Sequence, residues 1–268
     1  MKITPLTDEL IYSVIEIAKN AGTAIMDVYV SDFDIQIKDD RSPLTEADIC
    51  ANAIINEGLK KVTPDVPVLS EEGRNIPFDE RSIWESYWLV DPLDGTKDFI
   101  KKNGEFTVNI ALVEDNAPFF GVVYAPAIDL LFWGSLKNGA WKKEAHNPAQ
   151  AMRVADKSDE TVQIASSRSH PSDKMDTFLA QFNNFVLHPI GSSLKICLVS
   201  DGSMHLYPRL GPTMEWDTAA AHAVLKSAGG EMLQFGTDSP LQYNKKELLN
   251  PEFIAGSLSM ISTITACN

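Results

Sequence analysis

Apolar positions near the N-terminus recur at helical spacing. Between residues 7 and 30 they fall every three or four residues, as at Leu10, Val14 and Ile17. This period places them on one face of an amphipathic helix. A second helix is predicted to begin at Thr45, because apolar residues follow it at similar intervals as far as Leu59.

The middle of the chain has the pattern of strands. The apolar run Tyr87–Val90 predicts a short strand that stops at Asp91. From residue 106 to residue 143 the sequence changes to short alternating and β-branched runs, TVNIALV, FFGVVYA, LLFWGS and AWKK. Polar turns such as Lys137-Asn138-Gly139 separate these runs, which predicts an antiparallel meander.

Beyond about residue 155, short strands alternate with helices. The runs VQIASS, FVLHPIG and MHLYP are each followed by a helical segment, near 172–182, 193–200 and 216–228. Such alternation is typical of an α/β unit. We therefore expect an α+β lobe over residues 1–150, packed on an α/β lobe over residues 151–268, with a cleft between them.

Composition and charge exclude several classes of protein. The 268 residues include 44 % hydrophobic and 22 % charged residues, which is typical of a globular chain rather than a disordered or fibrous one. With 23 Lys and Arg against 37 Asp and Glu, the formal charge is −14. That charge disfavours DNA, RNA and anionic membrane surfaces. Small anionic ligands remain compatible with it, provided that cations bridge them to the protein.

The sequence favours action in the cytoplasm. Its N-terminus lacks the basic segment and apolar run of a secretory signal, and no stretch is apolar enough to span a membrane. The cysteines Cys50, Cys197 and Cys267 are widely spaced, which argues against a disulfide framework or a zinc site. Nothing in the chain argues for peripheral association with the inner face of the membrane, and both a monomer and a homodimer remain open.

The most informative segment joins two carboxylates to a tight turn. Asp91 and Asp94 follow the apolar strand, with Pro92 between them and Gly95 and Thr96 after them. Two carboxylates at one strand end repel each other unless a cation lies there. Such hard oxygen ligands suit Mg²⁺, which takes one or two carboxylates and keeps water or phosphate at its other positions. Backbone N–H groups at Gly95 and Thr96 could hold a phosphate.

Other acidic elements have both a structural and a functional interpretation. Glu71 and Glu72 follow a predicted strand, and taken alone they fit a solvated turn. Asp217 lies at the start of an Ala-rich helix, where it could act only as a cap. The Asp91–Gly95 segment by itself could likewise be an ordinary turn.

Taken together, these segments resemble the inositol monophosphatase family of lithium-sensitive, magnesium-dependent phosphatases. The resemblance rests on an ordered set of motifs, Pro43–Asp48, Ser70-Glu71-Glu72, Asp91–Thr96, Trp216–Ala219 and Gly229-Gly230. It implies a layered αβαβα sandwich, in agreement with the two lobes and the cleft.

The resemblance also implies two to three Mg²⁺ ions. Its metal ligands form two overlapping sets, one of Glu71, Asp91 and the Leu93 carbonyl, the other of Asp91, Asp94 and Asp217. A third, weaker ion would rest on Glu71 and water. Metal ions about 3.5–4 Å apart can hold both the attacking and the leaving oxygen of an in-line displacement.

The catalytic residues implied by the resemblance are Thr96, Asp48 and Glu72. Thr96, hydrogen-bonded to Asp48, would orient the attacking water, while Asp217 would help to stabilise the leaving alkoxide. Asp48 is also the third residue after Thr45, a spacing that resembles a capping box. Both roles can hold if each oxygen of the Asp48 carboxylate serves one of them.

Within the family, the C-terminal lobe is similar to the CysQ-type 3′(2′),5′-bisphosphate nucleotidases, which remove the 3′-phosphate of 3′-phosphoadenosine 5′-phosphate to give AMP. The similarity runs from Gly191 to Gly230. It implies a second anion site away from the metals. The expected substrate-binding residues are Gly95, Thr96, Lys97, His170, Ser192, Lys195, Tyr207, Arg209 and Asp217.

These substrate contacts have simpler alternatives. Lys195 lies on an apolar helix and could extend its amine to solvent, His170 could mark only a helix start, and Arg209 could pair with any acid. The main prediction is therefore a magnesium-dependent nucleotidase that recycles the by-product of sulfate assimilation. The alternatives are an inositol or sugar phosphate phosphatase and a non-catalytic nucleotide- or metal-binding protein.

Overall fold

Helices and strands alternate along most of the chain. The computed structural model describes residues 6–31, 35–37, 43–73, 76–156, 161–168 and 173–265. Within these ranges the α-helices are α1 Asp8–Tyr29, α2 Glu46–Val62, α3 Phe78–Arg81, α4 Thr96–Ile100, α5 Asp173–Leu179, α6 Leu194–Ser200, α7 Glu215–Ser227 and α8 Leu258–Thr265. Single 3₁₀ turns occur at Glu71–Gly73 and Pro126–Ile128.

The strands form two main sheets and one small ribbon. They are β1 Ile35–Ile37, β2 Pro43–Thr45, β3 Val68–Ser70, β4 Ser86–Asp94, β5 Thr107–Glu114, β6 Ala117–Ala125, β7 Leu130–Ser135, β8 Gly139–Glu144, β9 Gln150–Met152, β10 Val162–Ser166, β11 Phe185–Pro189, β12 Leu206–Arg209, β13 Glu231–Gln234 and β14 Phe253–Gly256. The first main sheet has the order β3-β4-β5-β6-β7-β8-β9 and the second β11-β10-β12-β14-β13.

The two predicted N-terminal helices are confirmed. In α1 the hydroxyl of Thr7 accepts a hydrogen bond from the Leu10 amide at 3.2 Å, which caps the first turn. One face of α1 is buried, from Ile11 to Ile25. The second helix begins at Glu46, with Thr45 as its N-cap residue.

The strand that carries the first two aspartates is longer than the sequence predicts. It was expected over Tyr87–Val90, but β4 continues to Asp94 because its last residues still pair with β5, Asp91 with Asn109 and Asp94 with Thr107. Its register against β5 shifts between Asp91 and Asp94. Pro92 has no N–H to give to the ladder, so a bulge at this point is the natural outcome.

The meander and the alternating C-terminal half are also confirmed. Strands β4 to β9 pair antiparallel in sequence order. In the second sheet, β10 pairs parallel with both β11 and β12, and the other pairs are antiparallel. The helix expected near 172–182 is shorter, since α5 ends at Leu179.

Three apolar clusters bind five layers together. The first packs α1 and α2 on one face of the seven-stranded sheet. The second joins the opposite face of that sheet to α6, α7 and the five-stranded sheet. The third packs α5 and α8 on the outer face of the five-stranded sheet. The layers therefore follow the expected order αβαβα.

The helices that lie between the two sheets, α6 and α7, both come from the C-terminal half of the chain. The predicted boundary between two lobes near residue 150 stays a prediction. Both α6 and α7 share an apolar cluster with residues of the two sheets. Over the ranges given above, no helix combines the length and apolarity needed to cross a membrane.

Helix α7 lies unusually close to the seven-stranded sheet. A Cβ atom at Gly121 of β6 would be 2.1 Å from the carbonyl oxygen of Ala220 on α7. Only glycine allows this approach, which fixes the position of the helix that carries Asp217 in its first turn.

We predict that Gly121→Ala destabilises the protein by about 3 kcal/mol or more, because the new methyl group meets backbone that cannot move aside without shifting α7. Gly211→Ala is the matched control, since nothing lies within 4 Å of a Cβ at that position. Urea unfolding of both variants measures the difference. Equal free energies of unfolding would show that α7 can move away at little cost.

Candidate active site

The bulge in β4 brings two carboxylates to one end of the seven-stranded sheet. Asp91 and Asp94 stand opposite Asn109 and Thr107 of β5 in the strand register. Without the shift in register, residues three apart would point to opposite faces of the sheet. The bulge lets both carboxylates face the same cleft.

That cleft lies between the two sheets, against the first turn of α7. Its volume is about 340 Å³. Among the described residues its lining includes the acidic side chains of Glu71, Asp91, Asp94, Asp98 and Asp217, and the basic side chains of Lys97, Lys101, Lys195 and Arg209. Leu93, Gly95, Thr96, Ser192 and Tyr207 also line it. The structure thus brings together most of the predicted site residues.

Burial and neighbouring carboxylates raise the pKa values of Asp91 and Asp217. Asp91 is only 1 % exposed, and burial is the main cause that raises its pKa well above the ordinary aspartate value. The charges of Glu71 and Asp94 raise it further. Burial also raises the pKa of Asp217, followed by the charge of Asp94, while the Met214 amide acts in the opposite direction.

Each of these aspartates is held by a backbone N–H group. The Leu93 amide donates to Oδ1 of Asp91 at 3.1 Å, and the Met214 amide donates to Oδ2 of Asp217 at 2.9 Å. The second bond is the helix-capping contact expected for Asp217 on its own. It leaves the other oxygen of that carboxylate available to the cleft.

The acidic end of the cleft fits a divalent cation by its chemistry. The carboxylates of Glu71, Asp91, Asp94 and Asp217 are costly together unless positive charge is supplied, and the pKa values of Asp91 and Asp217 are strongly raised. Across the described residues, no three Asp, Glu, His or Cys side chains already form a coordination shell. Mg²⁺ does not need such a shell, because it keeps several waters and binds through one or two carboxylates plus phosphate oxygens.

Asp48 serves two partners at once. Its Oδ2 accepts hydrogen bonds from the backbone N–H and the hydroxyl of Thr45, at 2.8 and 2.7 Å. Its Oδ1 accepts a bond from the hydroxyl of Thr96 at 3.5 Å, the outer limit for such a contact. The Thr96 hydroxyl also lies 3.3 Å from the Leu93 carbonyl. The capping and the catalytic interpretations of Asp48 are therefore compatible.

The basic end of the cleft contains a buried lysine. Lys195 is only 6 % exposed, and its amine donates to the carbonyl oxygens of Ile190 and Ser192 at 3.2 and 2.5 Å. Its pKa is lowered to about 8, chiefly by burial; the charge of Asp94 opposes this shift and the charge of Arg209 adds to it. The ammonium lies 5.4 Å from the centre of the Tyr207 ring. The lysine does not extend to solvent.

Arg209 points into the same end of the cleft with part of its hydrogen-bonding capacity unused. Its guanidinium donates to the Ser167 hydroxyl at 2.8 Å and to the Pro212 carbonyl at 2.6 Å. Its Nε atom and the hydroxyl of Thr213 are buried without a hydrogen-bond partner among the described atoms. Buried unsatisfied groups in a cleft indicate a place where a ligand can complete them.

The remaining predicted residues are less closely involved. Lys97 is exposed at the rim of the cleft, and Gly95 has a φ of +93° at the start of α4. Glu72 lies in the 3₁₀ turn after Glu71 but is not among the described residues that line the cleft, so its catalytic role stays a prediction. His170 lies outside the described residues.

Sequence reasoning missed several residues at the site. Thr107, Asn109 and Ser193 are buried polar side chains that join β5 to the start of α6 beside Asp94, and Thr213 lines the basic end of the cleft. The signal for the first two was present, since polar residues two apart interrupt the apolar run TVNIALV on a single face.

Known proteins share both the sequence and the fold. The sequence model of the inositol monophosphatase family matches residues 6–265. The 3′(2′),5′-bisphosphate nucleotidase CysQ of Escherichia coli (strain K12) is 48 % identical over 243 residues, which cover 90 % of this chain and 96 % of the relative. Its counterpart in Haemophilus influenzae is 35 % identical over 251 residues, 93 % of each chain.

Solved structures agree with these matches. The crystal structure of CysQ from Bacteroides thetaiotaomicron, a bacterial member of the inositol monophosphatase family, superimposes with a TM-score of 0.81. It is 40 % identical and covers 92 % of this chain and 96 % of its own. The SuhB protein of Bartonella henselae, 22 % identical with a TM-score of 0.78 over 97 % of this chain and 98 % of its own, shares the fold. The chain belongs to the inositol monophosphatase family.

Proposed function

We propose that the protein is a magnesium-dependent 3′(2′),5′-bisphosphate nucleotidase that converts 3′-phosphoadenosine 5′-phosphate and water into AMP and inorganic phosphate. The observation that carries this proposal is a single cleft lined by the carboxylates of Glu71, Asp91, Asp94 and Asp217 and by the cations of Arg209 and the buried Lys195. The nucleotidases of Escherichia coli and Haemophilus influenzae described above support it, since this chain aligns with nearly their whole length. Recycling of the by-product of sulfate assimilation in the cytoplasm is the role that follows.

The acidic end would hold the metal and the phosphate that reacts. Glu71, Asp91, the Leu93 carbonyl, Asp94 and Asp217 are the proposed ligands, for two to three Mg²⁺ ions. When bound, Mg²⁺ supplies Lewis acidity that lowers the pKa of water and stabilises the charge on the phosphoryl oxygens.

The chain's own residues place the attacking water. The Thr96 hydroxyl points its hydrogen toward Asp48 or the Leu93 carbonyl, so its oxygen is free to accept a hydrogen bond from water. Such a bond turns a lone pair of the water oxygen toward phosphorus. A new P–O bond forms on that side while the bond from phosphorus to the 3′-oxygen breaks. The attacking water gives up one proton to solvent, and the 3′-alkoxide takes up one from solvent beside Asp217, so that the products are the 3′-hydroxyl and hydrogen phosphate.

The basic end would bind the 5′-phosphate. Lys195 and Arg209 offer charge-assisted hydrogen bonds, and Ser192 adds a hydroxyl in the same loop. Tyr207 stands beside Lys195, which suits a role in the wall of the nucleoside pocket. We extend the proposal to Lys97 at the rim and to His170, as contacts to phosphate and to ribose or base.

The competing candidate is an inositol or sugar phosphate phosphatase of the same family. It would use the same metal ligands, so the acidic end does not discriminate between the two. A substrate with one phosphate group leaves Lys195 and Arg209 without a bound anion, and the cost of keeping the Lys195 charge buried opposes that choice.

A substrate panel tests the proposal. We expect 3′-phosphoadenosine 5′-phosphate to be hydrolysed with a kcat/KM at least about 100-fold above that of inositol 1-phosphate, and only with Mg²⁺ present, since two charge-assisted bonds distinguish the substrates. Asp94→Asn should abolish phosphate release and leave the fold intact. A clear preference for inositol 1-phosphate would contradict the proposed substrate, and full activity in Asp94→Asn would contradict the metal mechanism.

The lowered pKa of Lys195 predicts that the preference between substrates changes with pH. Its amine is charged below its pKa of about 8 and loses that charge as the pH rises through this value. The ratio of kcat/KM for 3′-phosphoadenosine 5′-phosphate to that for 3′-AMP, which lacks the 5′-phosphate, should therefore fall by up to about tenfold from pH 7 to pH 9, as the charged fraction of Lys195 falls.

The control for this measurement is the Lys195→Arg variant, because an arginine side chain stays charged from pH 7 to pH 9. Lys195→Arg should flatten the ratio, whereas Lys97→Arg, a change at the exposed rim, should keep the wild-type slope. A ratio that does not vary with pH in the wild-type enzyme would remove Lys195 from the 5′-phosphate site.

The buried carboxylate of Asp91 predicts a conflict between stability and activity. Because the pKa of Asp91 is raised in the folded state, the metal-free protein loses stability as the pH rises from the ordinary aspartate pKa through the folded value. Asp91→Asn should make the metal-free protein more stable at pH 7, by on the order of 2 kcal/mol, and inactive.

Urea unfolding with EDTA measures this gain in stability, and saturating Mg²⁺ should reverse the order of the two proteins. Asp238→Asn, at an exposed position, is the control and should leave the free energy of unfolding unchanged both with EDTA and with Mg²⁺. Loss of stability in metal-free Asp91→Asn would show that the carboxylate cluster is not strained.

A further inference from the structure

Two polar side chains lie at the start of a strand that is buried along its whole length. Every residue of β5 is buried, and Thr107 and Asn109 are 0 % and 1 % exposed. Buried polar groups are costly unless they are hydrogen-bonded, so their presence beside the apolar run Ile110–Val113 requires a reason. They stand directly opposite Asp94 and Asp91 in the strand register, at the acidic end of the cleft.

Their hydrogen bonds fix the orientation of the Asn109 amide. Oδ1 of Asn109 accepts bonds from the hydroxyls of Thr107 at 3.1 Å and Ser193 at 2.8 Å. Those two hydroxyls also lie 2.8 Å apart, which closes a ring of three side chains. With its oxygen facing two donors, the amide must turn its Nδ2 group the other way, where it lies 3.4 Å from Oδ2 of Asp94.

The same oxygen of Asp94 collects two more donors. The Ser192 hydroxyl lies 2.6 Å from Oδ2 and the Ser193 amide lies 2.7 Å from it. Ser192 has a φ of +54°, a strained value for a residue with a side chain, and the turn at this point directs both donors to one atom. No hydrogen bond among the described residues ends on Oδ1, so that oxygen is the one left for a cation.

We propose that Asn109, Thr107 and Ser193 are positioning residues that set the affinity for Mg²⁺ by holding the Asp94 carboxylate in one orientation. The inference rests on the proposed metal site. Neither Thr107 nor Asn109 lines the cleft among the described residues, so they act through Asp94 and do not touch substrate. Groups that orient a metal-binding carboxylate typically change metal affinity by about 10- to 100-fold.

Titration calorimetry of the metal-free protein with MgCl₂, without nucleotide, tests this role. Asn109→Leu keeps the approximate volume of the side chain and removes both of its hydrogen-bonding functions. We expect the Kd for Mg²⁺ to rise about tenfold or more, and we expect kcat for 3′-phosphoadenosine 5′-phosphate to return to within about threefold of wild type at saturating Mg²⁺.

Two matched variants separate positioning from general stability. Ser86→Ala removes a buried hydroxyl from the far end of the same strand pair, where it is bonded to Glu114 at 3.3 Å, and should leave the Kd for Mg²⁺ unchanged. Thr107→Val should raise the Kd, whereas Thr107→Ser, which retains the hydroxyl, should restore it to near the wild-type value.

The outcomes distinguish this inference from the proposed function. If the wild-type protein binds no Mg²⁺ in this titration, the proposed metal site is wrong, and so is the positioning role that rests on it. If the wild-type protein binds Mg²⁺ but Asn109→Leu and Thr107→Val bind it as tightly as Ser86→Ala, the positioning role is wrong. Should Asn109→Leu fail to fold, Thr107→Val and Ser193→Ala decide the question by the same titration.

Discussion

Mutual repulsion among carboxylates at the end of β4 is the constraint on which the rest of the structure depends. Asp91 is almost completely buried, and Glu71, Asp94 and Asp217 each raise its pKa. A chain free to relax would move these groups apart. The five layers prevent this, because β4 is hydrogen-bonded on both sides and α7 is packed close against the sheet at Gly121. The stability of the core therefore maintains a site that is unfavourable without a cation.

Four aspartates of the site are held in the same way, because one oxygen of each carboxylate accepts a hydrogen bond from a backbone N–H group. For Asp48, Asp91, Asp94 and Asp217, that group belongs to Thr45, Leu93, Ser193 and Met214, respectively. Such bonds favour the charged form and fix the carboxylate plane, while the second oxygen is left to face the site. Capping a helix and serving the site are thus complementary tasks of one side chain. This explains why sequence spacing alone could not choose between them.

The sequence predicts what local pattern controls. Helix α1, the meander and the order of layers follow from apolar period, turn residues and the family motifs. It misses what long-range contacts decide. The extension of β4 to Asp94 depends on its pairing with β5, and the roles of Asn109 and Ser193 depend on a contact between residues 84 positions apart. Glu72 is a different case: a motif places it at the site, it is not among the described residues that line the cleft, and its catalytic role stays a prediction.

The overall charge of −14 conceals two local clusters of opposite sign. At one end of the cleft, carboxylates raise the pKa values of Asp91 and Asp217, while at the other, burial and Arg209 lower the pKa of Lys195. Each cluster alone opposes folding, since each gathers like charges away from water. A divalent cation relieves the first cluster and a phosphate group relieves the second. A metal-bound bisphosphate supplies both in one ligand, so the like charges gathered in the cleft favour a substrate that has two anionic groups over one that has a single phosphate.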